Sequence, residues 1–109
     1  MRYAFKAEFF KALAHPLRIQ ILDELRGGPM NVGELRDRLG AEQSTLSQQL
    51  GVLRSRNFVT TERHGNTIRY EVRDPAIWRL LDSAREIFDN HLVSVQNVLE
   101  DLRSEARGS

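Results

Sequence analysis

A mainly α-helical fold carrying one small β-hairpin is predicted by three observations. Apolar residues recur at helical spacing through residues 4–55, the period switches to two between about 58 and 72, and a helical pattern then returns and runs without glycine or proline through residue 107. With 109 residues, 40% of them apolar and 28% charged, the chain is expected to form a single domain over 1–109, since this length does not support two cores.

The elements follow in order. Residues 4–14 place Phe5, Phe9 or Phe10, and Leu13 on one face of a short first helix. His15-Pro16 restarts the chain, with proline at the first position of a second helix, where its missing N–H costs nothing. Leu17, Ile21, Leu22 and Leu25 form that helix's buried stripe, and Gly27-Gly28-Pro29 ends it. Asn31, followed three residues later by Glu34, reads as a capping box opening a third helix, Val32–Leu39, which Gly40 stops. Only Gly40-Ala41-Glu42 separates it from a fourth, Gln43–Ser55, whose Leu46, Leu50 and Leu53 must face a core. Two short helices joined by a glycine-containing turn make a helix-turn-helix.

Residues 58–63 are then rich in β-branched side chains, and Ile68, Tyr70 and Val72 alternate with Thr67, Arg69 and Glu71. His64-Gly65-Asn66 between them is a turn signal, so a hairpin follows the helix-turn-helix directly. That is the order of a winged helix. Asp74-Pro75 precedes a last helix over 76–105, a rod of roughly 45 Å at 1.5 Å per residue. Ile77, Leu81, Ala84, Phe88, His91, Val95, Val98 and Leu102 are spaced alternately four and three along it. One compact domain cannot cover such a stripe, so the pattern asks for a second chain. The expected assembly is a homodimer through the N- and C-terminal helices, with Phe5, Phe9, Leu81, Phe88, His91, Val95, Val98 and Leu102 at the interface.

Composition excludes several functions. Zero cysteines rule out a disulfide framework, a thiolate zinc site and a cysteine nucleophile, leaving histidines and carboxylates as the metal ligands available. No run approaches 18 uncharged apolar residues, and Met1-Arg2-Tyr3-Ala4-Phe5-Lys6 lacks the apolar stretch of a secretory signal, so a cytoplasmic protein without a membrane partner is expected. Glycine-rich phosphate loops, H-E-x-x-H and G-x-S-x-G are all missing, and an enzyme is not expected. Sixteen basic and 15 acidic residues nearly balance, with residues 1–74 at +3 and the remainder at −2, a polarity too small to decide function.

Two segments carry a family resemblance. Ala12-Leu13-Ala14-His15-Pro16-Leu17-Arg18-Ile19-Gln20-Ile21-Leu22 and Gln43-Ser44-Thr45-Leu46-Ser47-Gln48-Gln49-Leu50-Gly51-Val52-Leu53-Arg54 resemble, in order and spacing, the segments that mark the ArsR/SmtB family of winged-helix transcriptional regulators. His15 stands where the family has aspartate, Leu17 where it has threonine, Gln49 where it has histidine, and Asn57 where it has the glycine ending the recognition helix. Asparagine tolerates the left-handed conformation that such a helix end needs.

The resemblance implies a dimeric regulator that binds a double-stranded DNA operator, repressor-like in action. Projected at 100° per residue, Ser44, Gln48, Gly51 and Ser55 lie opposite the leucine face, with Thr45 and Ser47 flanking. Gln48 can pair in bidentate fashion with adenine, and the hydroxyls of Ser44, Thr45 and Ser47 suit bases, phosphates or simple helix capping. Arg54 near the helix end suits a phosphate or the helix dipole, while Arg63, His64, Asn66 and Arg69 make the hairpin basic enough for phosphate or a narrow minor groove. The alternative is a protein-interaction module or partner subunit of another regulator; the polar recognition face favours DNA, because a protein-binding face is more often apolar at its centre.

Family metal sensors use one of two sites. The first needs cysteines, at positions held here by Asn31 and Gly33. For the second, on the last helix, Asp89-Asn90-His91 fits the leading half, while the trailing half falls on Leu102 and Glu105 or, with one residue of slip, on Asp101 and Ser104, without the family's downstream histidine. The resemblance therefore implies an altered N/O site for Zn²⁺, Ni²⁺ or Co²⁺ on Asp89, His91, Asp101 and Glu105 shared across a dimer. The other reading of His91 is a seam histidine paired with Asp89, a carbonyl or its mate across the interface.

Overall fold

Among residues 2–108, which the computed structural model describes, five α-helices and a three-stranded antiparallel sheet form two units that divide after Pro75. The first holds α1 (Arg2–Leu13), α2 (Pro16–Glu24), α3 (Val32–Leu39), α4 (Gln43–Ser55) and strands β1 (Met30–Asn31), β2 (Val59–His64) and β3 (Thr67–Val72). The second is α5 (Ala76–Gly108).

Local chemistry sets the boundaries. His15 is the N-cap of α2, its Nδ1 accepting the Leu17 N–H at 3.2 Å, and Pro16 takes the first helical position. After α2 a single 3₁₀ turn, Leu25–Gly27, tucks Leu25 into the core. The capping box on α3 is complete: Glu34 N–H donates to Asn31 Oδ1 at 2.8 Å and Asn31 N–H to Glu34 Oε1 at 3.1 Å. Gly40 closes α3 in the left-handed region at φ 68°.

The end of α4 explains Asn57. At φ 65° it occupies the left-handed region, its N–H donates to Arg54 O at 3.1 Å, and the Phe58 N–H donates to Leu53 O at 2.9 Å. These two bonds make a Schellman motif, completed by burial of both Leu53 and Phe58. The turn therefore aims the chain directly from the recognition helix into β2.

The hairpin pairs Val59 with Val72 through His64 with Thr67, leaving Gly65-Asn66 as a two-residue loop, one residue shorter than the turn read from sequence. Gly65 at φ +61° followed by Asn66 at negative φ carries the signs of a type II′ turn. Strand β1 was not expected. Met30 and Asn31 pair with Tyr70 and Arg69, giving the order β1-β3-β2. Two residues are too few to show a period of two, which is why sequence reading sees only the hairpin.

Ile21, Leu22, Leu35, Leu46, Leu50 and Leu53 are fully enclosed and tie α2, α3 and α4 into one core. Each such side chain contributes roughly 1.5–3 kcal/mol by leaving water. Leu17, expected on the same stripe, is only half-buried.

Helix α5 spans 33 residues, about 50 Å at 1.5 Å per residue, a turn beyond the 76–105 expected. Much of its apolar face lies in solvent: Phe88 is 59% exposed, Val98 57% and Leu102 55%.

Candidate nucleic-acid interface

Helix α4 separates two chemistries by its period. Leu46, Gln49, Leu50 and Leu53 are buried, whereas Ser44, Thr45, Ser47, Gln48, Gly51, Arg54 and Ser55 are exposed. The N-cap is Glu42, and no side chain caps the helix. Helix capping therefore does not account for the hydroxyls of Ser44, Thr45 and Ser47. Among the described residues neither they nor Gln48 bonds another residue, so the face presents free donors and acceptors at the helix's N-terminal half. Ser55 differs, since its hydroxyl donates to Val52 O at 2.9 Å.

Gln49, one position away, is withdrawn from that face. It is only 9% exposed, and its Oε1 accepts the Arg18 Nε–H at 2.8 Å, while Arg18 Nη1 donates to Ala12 O at 3.0 Å. A charge-assisted bond thus ties the recognition helix to α2 and the end of α1. Sequence spacing could flag Gln49 as nearer the leucine side, but the partner lies 31 residues away and only the fold brings it there.

The wing residues divide into tip and body. Arg63 is exposed, with Nε donating to Gly65 O at 3.3 Å, so its guanidinium folds over the turn with further N–H groups free. His64 is exposed 3.6 Å from Glu62, and Asn66 sits in the turn. Arg69 belongs to the body of the wing rather than its tip. It is half-buried in the middle of β3, its Nη2 donates to Pro29 O at 3.0 Å, and its Nε is enclosed without a partner. The Nη2 bond ties β3 to the segment leading into β1. Arg54 remains exposed at the last turn of α4, and Arg56 lies 3.8 Å from Glu8.

Beyond Pro75, Asp89, His91, Asp101 and Glu105 are all exposed on α5. Among the described residues no three histidine, cysteine, aspartate or glutamate side chains converge within one chain. Of the interface residues read from the sequence, Phe5 and Phe88 are exposed, Leu81 is half-buried, and Phe9 is partly used inside the chain, its ring 5.2 Å from that of Phe58. No described helix is long and apolar enough to cross a membrane.

A helix-turn-helix whose second helix shows a polar face, followed at once by an antiparallel wing, defines a winged helix-turn-helix DNA-binding protein. Comparisons narrow the class. The profile of a helix-turn-helix domain matches residues 13–62. The uncharacterized HTH-type transcriptional regulator Rv0081 of Mycobacterium tuberculosis is 48% identical over 103 residues, 94% of this chain and 90% of that protein, and its crystal structure superposes with a TM-score of 0.77 at 47% identity over 84% and 93% of the two chains. A biofilm growth-associated repressor of Agrobacterium fabrum is 42% identical over 75% of this chain and 70% of its own. The homodimeric winged helix-turn-helix domain of Mb0332 from Mycobacterium bovis, a possible ArsR-family regulator, matches with a TM-score of 0.70 at 32% identity, covering 79% and 80%. This chain belongs to the ArsR/SmtB family of winged helix-turn-helix transcriptional regulators, DNA-binding proteins rather than enzymes.

Proposed function

We propose that this regulator acts as a homodimeric repressor that reads a near-palindromic operator with two copies of α4. The observation that carries the reading is the coexistence of a free polar face on α4 with an uncovered apolar face on α5: the first suits base edges, the second suits another copy. Two recognition helices related by the twofold axis of such a dimer would reach successive major grooves about 34 Å apart. Gln48 would read a base edge, Ser44, Thr45 and Ser47 would bond bases or phosphates, and Arg54 and Arg63 would contact the backbone. The homodimeric state of the Mycobacterium bovis domain and the repressor role named for the Agrobacterium protein support the same reading. Sedimentation combined with DNA titration over the region upstream of its own gene tests it: a dimer with steep salt dependence is expected, and a micromolar monomer that binds DNA tightly would overturn it.

Effector control is a separable part of the proposal. Asp89 and His91 of one chain with Asp101 and Glu105 of the other would form an N/O site for Zn²⁺, Ni²⁺ or Co²⁺, supported by the exposure of all four on the helix that needs a partner. Calorimetry of Ni²⁺ or Zn²⁺ with wild type and His91→Ala decides it. Heat lost in the variant supports the site, and equal heats and stoichiometries remove it.

A further inference from the structure

A cleft of about 500 Å³ opens within the first unit between the recognition helix and the wing. Gln43 and Ser47 of α4 form one wall, Asn66, Ile68 and Tyr70 of the hairpin the other, and Arg36 of α3 reaches its edge. Among the described residues lining it Arg36 is the one charged side chain, and no carboxylate is present. That chemistry suits an anion.

Duplex geometry says which anion passes there. When a recognition helix enters a major groove and the wing beside it reaches the adjacent minor groove, one sugar–phosphate strand must run between the two elements. Such a strand alternates anionic phosphate with weakly polar deoxyribose. The cleft offers both complements. Ile68 is 47% exposed there and Tyr70 half-buried, an apolar wall with a phenol at its end. Arg36 Nη1 donates to Gln43 Oε1 at 3.1 Å, which fixes the guanidinium over the first turn of α4. Its other neighbour is the Asp37 carboxylate, 3.6 Å from Nε, an exposed and solvent-screened pair that leaves N–H donors for a phosphate.

We propose that this cleft seats one operator sugar–phosphate strand, with Arg36 as the phosphate ligand and Ile68 and Tyr70 as the deoxyribose wall. The proposal rests on the operator-binding reading and adds three residues outside the polar face of α4 and the basic wing tip. Arg36 is held in place by the same glutamine that opens the recognition helix, so phosphate contact and helix position are set together.

The test uses a duplex from the region upstream of its own gene, a random duplex of equal length, and a series of the first duplex carrying one uncharged methylphosphonate linkage at a time. For Arg36→Ala the slope of log affinity against log salt should fall by about 0.9 per phosphate lost, about 1.8 for a dimer, and equally on both sequences. One methylphosphonate position per half-site that weakens the wild type should leave Arg36→Ala no weaker. Arg36→Lys, which keeps the charge, should recover most of the slope. An unchanged slope with every methylphosphonate effect intact overturns the cleft assignment while leaving operator binding standing, and so does an Arg36→Lys protein indistinguishable from Arg36→Ala, because that pattern marks a structural arginine. If the wild type binds neither duplex, the operator reading fails and the cleft proposal falls with it.

Discussion

The unit up to Pro75 and helix α5 use apolar residues in opposite ways. In the first, Leu46, Leu50 and Leu53 of α4 are fully buried while Ser47, Gln48 and Gly51 between them face solvent. In the second, Ile87 is 70% exposed and Phe88, Leu92, Val95, Val98, Leu99 and Leu102 are also exposed along one helix. The two halves are finished at different levels of organisation. The first unit encloses its own core, whereas α5 carries more apolar surface than a lone chain can hide. Its exposed residues also spread beyond a strict alternation of four and three, since Ile87, Leu92 and Leu99 flank the eight-residue stripe. A face that wide suits more than one neighbouring helix in an assembly.

The comparison breaks most visibly under charge. Phe88→Asp should uncouple the dimer by about 3–5 kcal/mol through an uncompensated buried carboxylate while leaving the fold of the first unit intact. Leu50→Ala should do the reverse, lowering unfolding stability by about 2–5 kcal/mol through a core cavity. Sedimentation and thermal unfolding on both variants check the pair. If Phe88→Asp sediments as a dimer, α5 is not the assembly surface.

Next in size is the polar face of α4. Gln48→Ala should lose ~1–3 kcal/mol on the operator and little on random DNA, because its neighbours in the helix hold nothing else for it to do. Equal losses on both sequences would take Gln48 out of base reading. Arg63→Ala at the wing tip should act without regard to sequence, reducing the salt slope by about 0.9 per contact, measurable by titration at several salt concentrations. A parallel measurement on Arg69→Ala sharpens the contrast, since loss of its bond to Pro29 O should lower thermal stability as well.

The smallest effect concerns the joint between recognition helix and wing. Asn57→Ala places a Cβ-bearing residue without a local polar side chain at φ 65°, and should cost about 1 kcal/mol of unfolding stability. Asn57→Gly should be neutral or slightly stabilising. If alanine is tolerated as well as glycine, the left-handed turn is not holding the wing against the helix.

Most of the helical framework was legible because its signals are local. Asn31 and Glu34, Pro16, Gly40 and the leucine spacing of α4 each act within one or two turns of chain, and the structure places their helices where those signals put them. The candidate DNA face was legible for the same reason, as a helix period alone separates Gln48 from Leu50. What stayed hidden depends on partners far away in the chain. Strand β1 exists because β3 offers it a hydrogen-bonding edge about 40 residues later, and no two-residue segment can announce that.

Capping, turn and periodicity rules act over a few residues, so the order of residues alone carries the helix-turn-helix, the hairpin and the apolar stripe of α5. It took the folded chain to show that Gln49 turns inward to Arg18, that Arg69 donates to Pro29 O in the body of the wing, and that Arg36 stands at the edge of a cleft between α4 and the hairpin. The physical reason is the reach of the interactions: a guanidinium chooses among every acceptor the fold brings within about 3 Å, and sequence distance carries no information about which of them that will be.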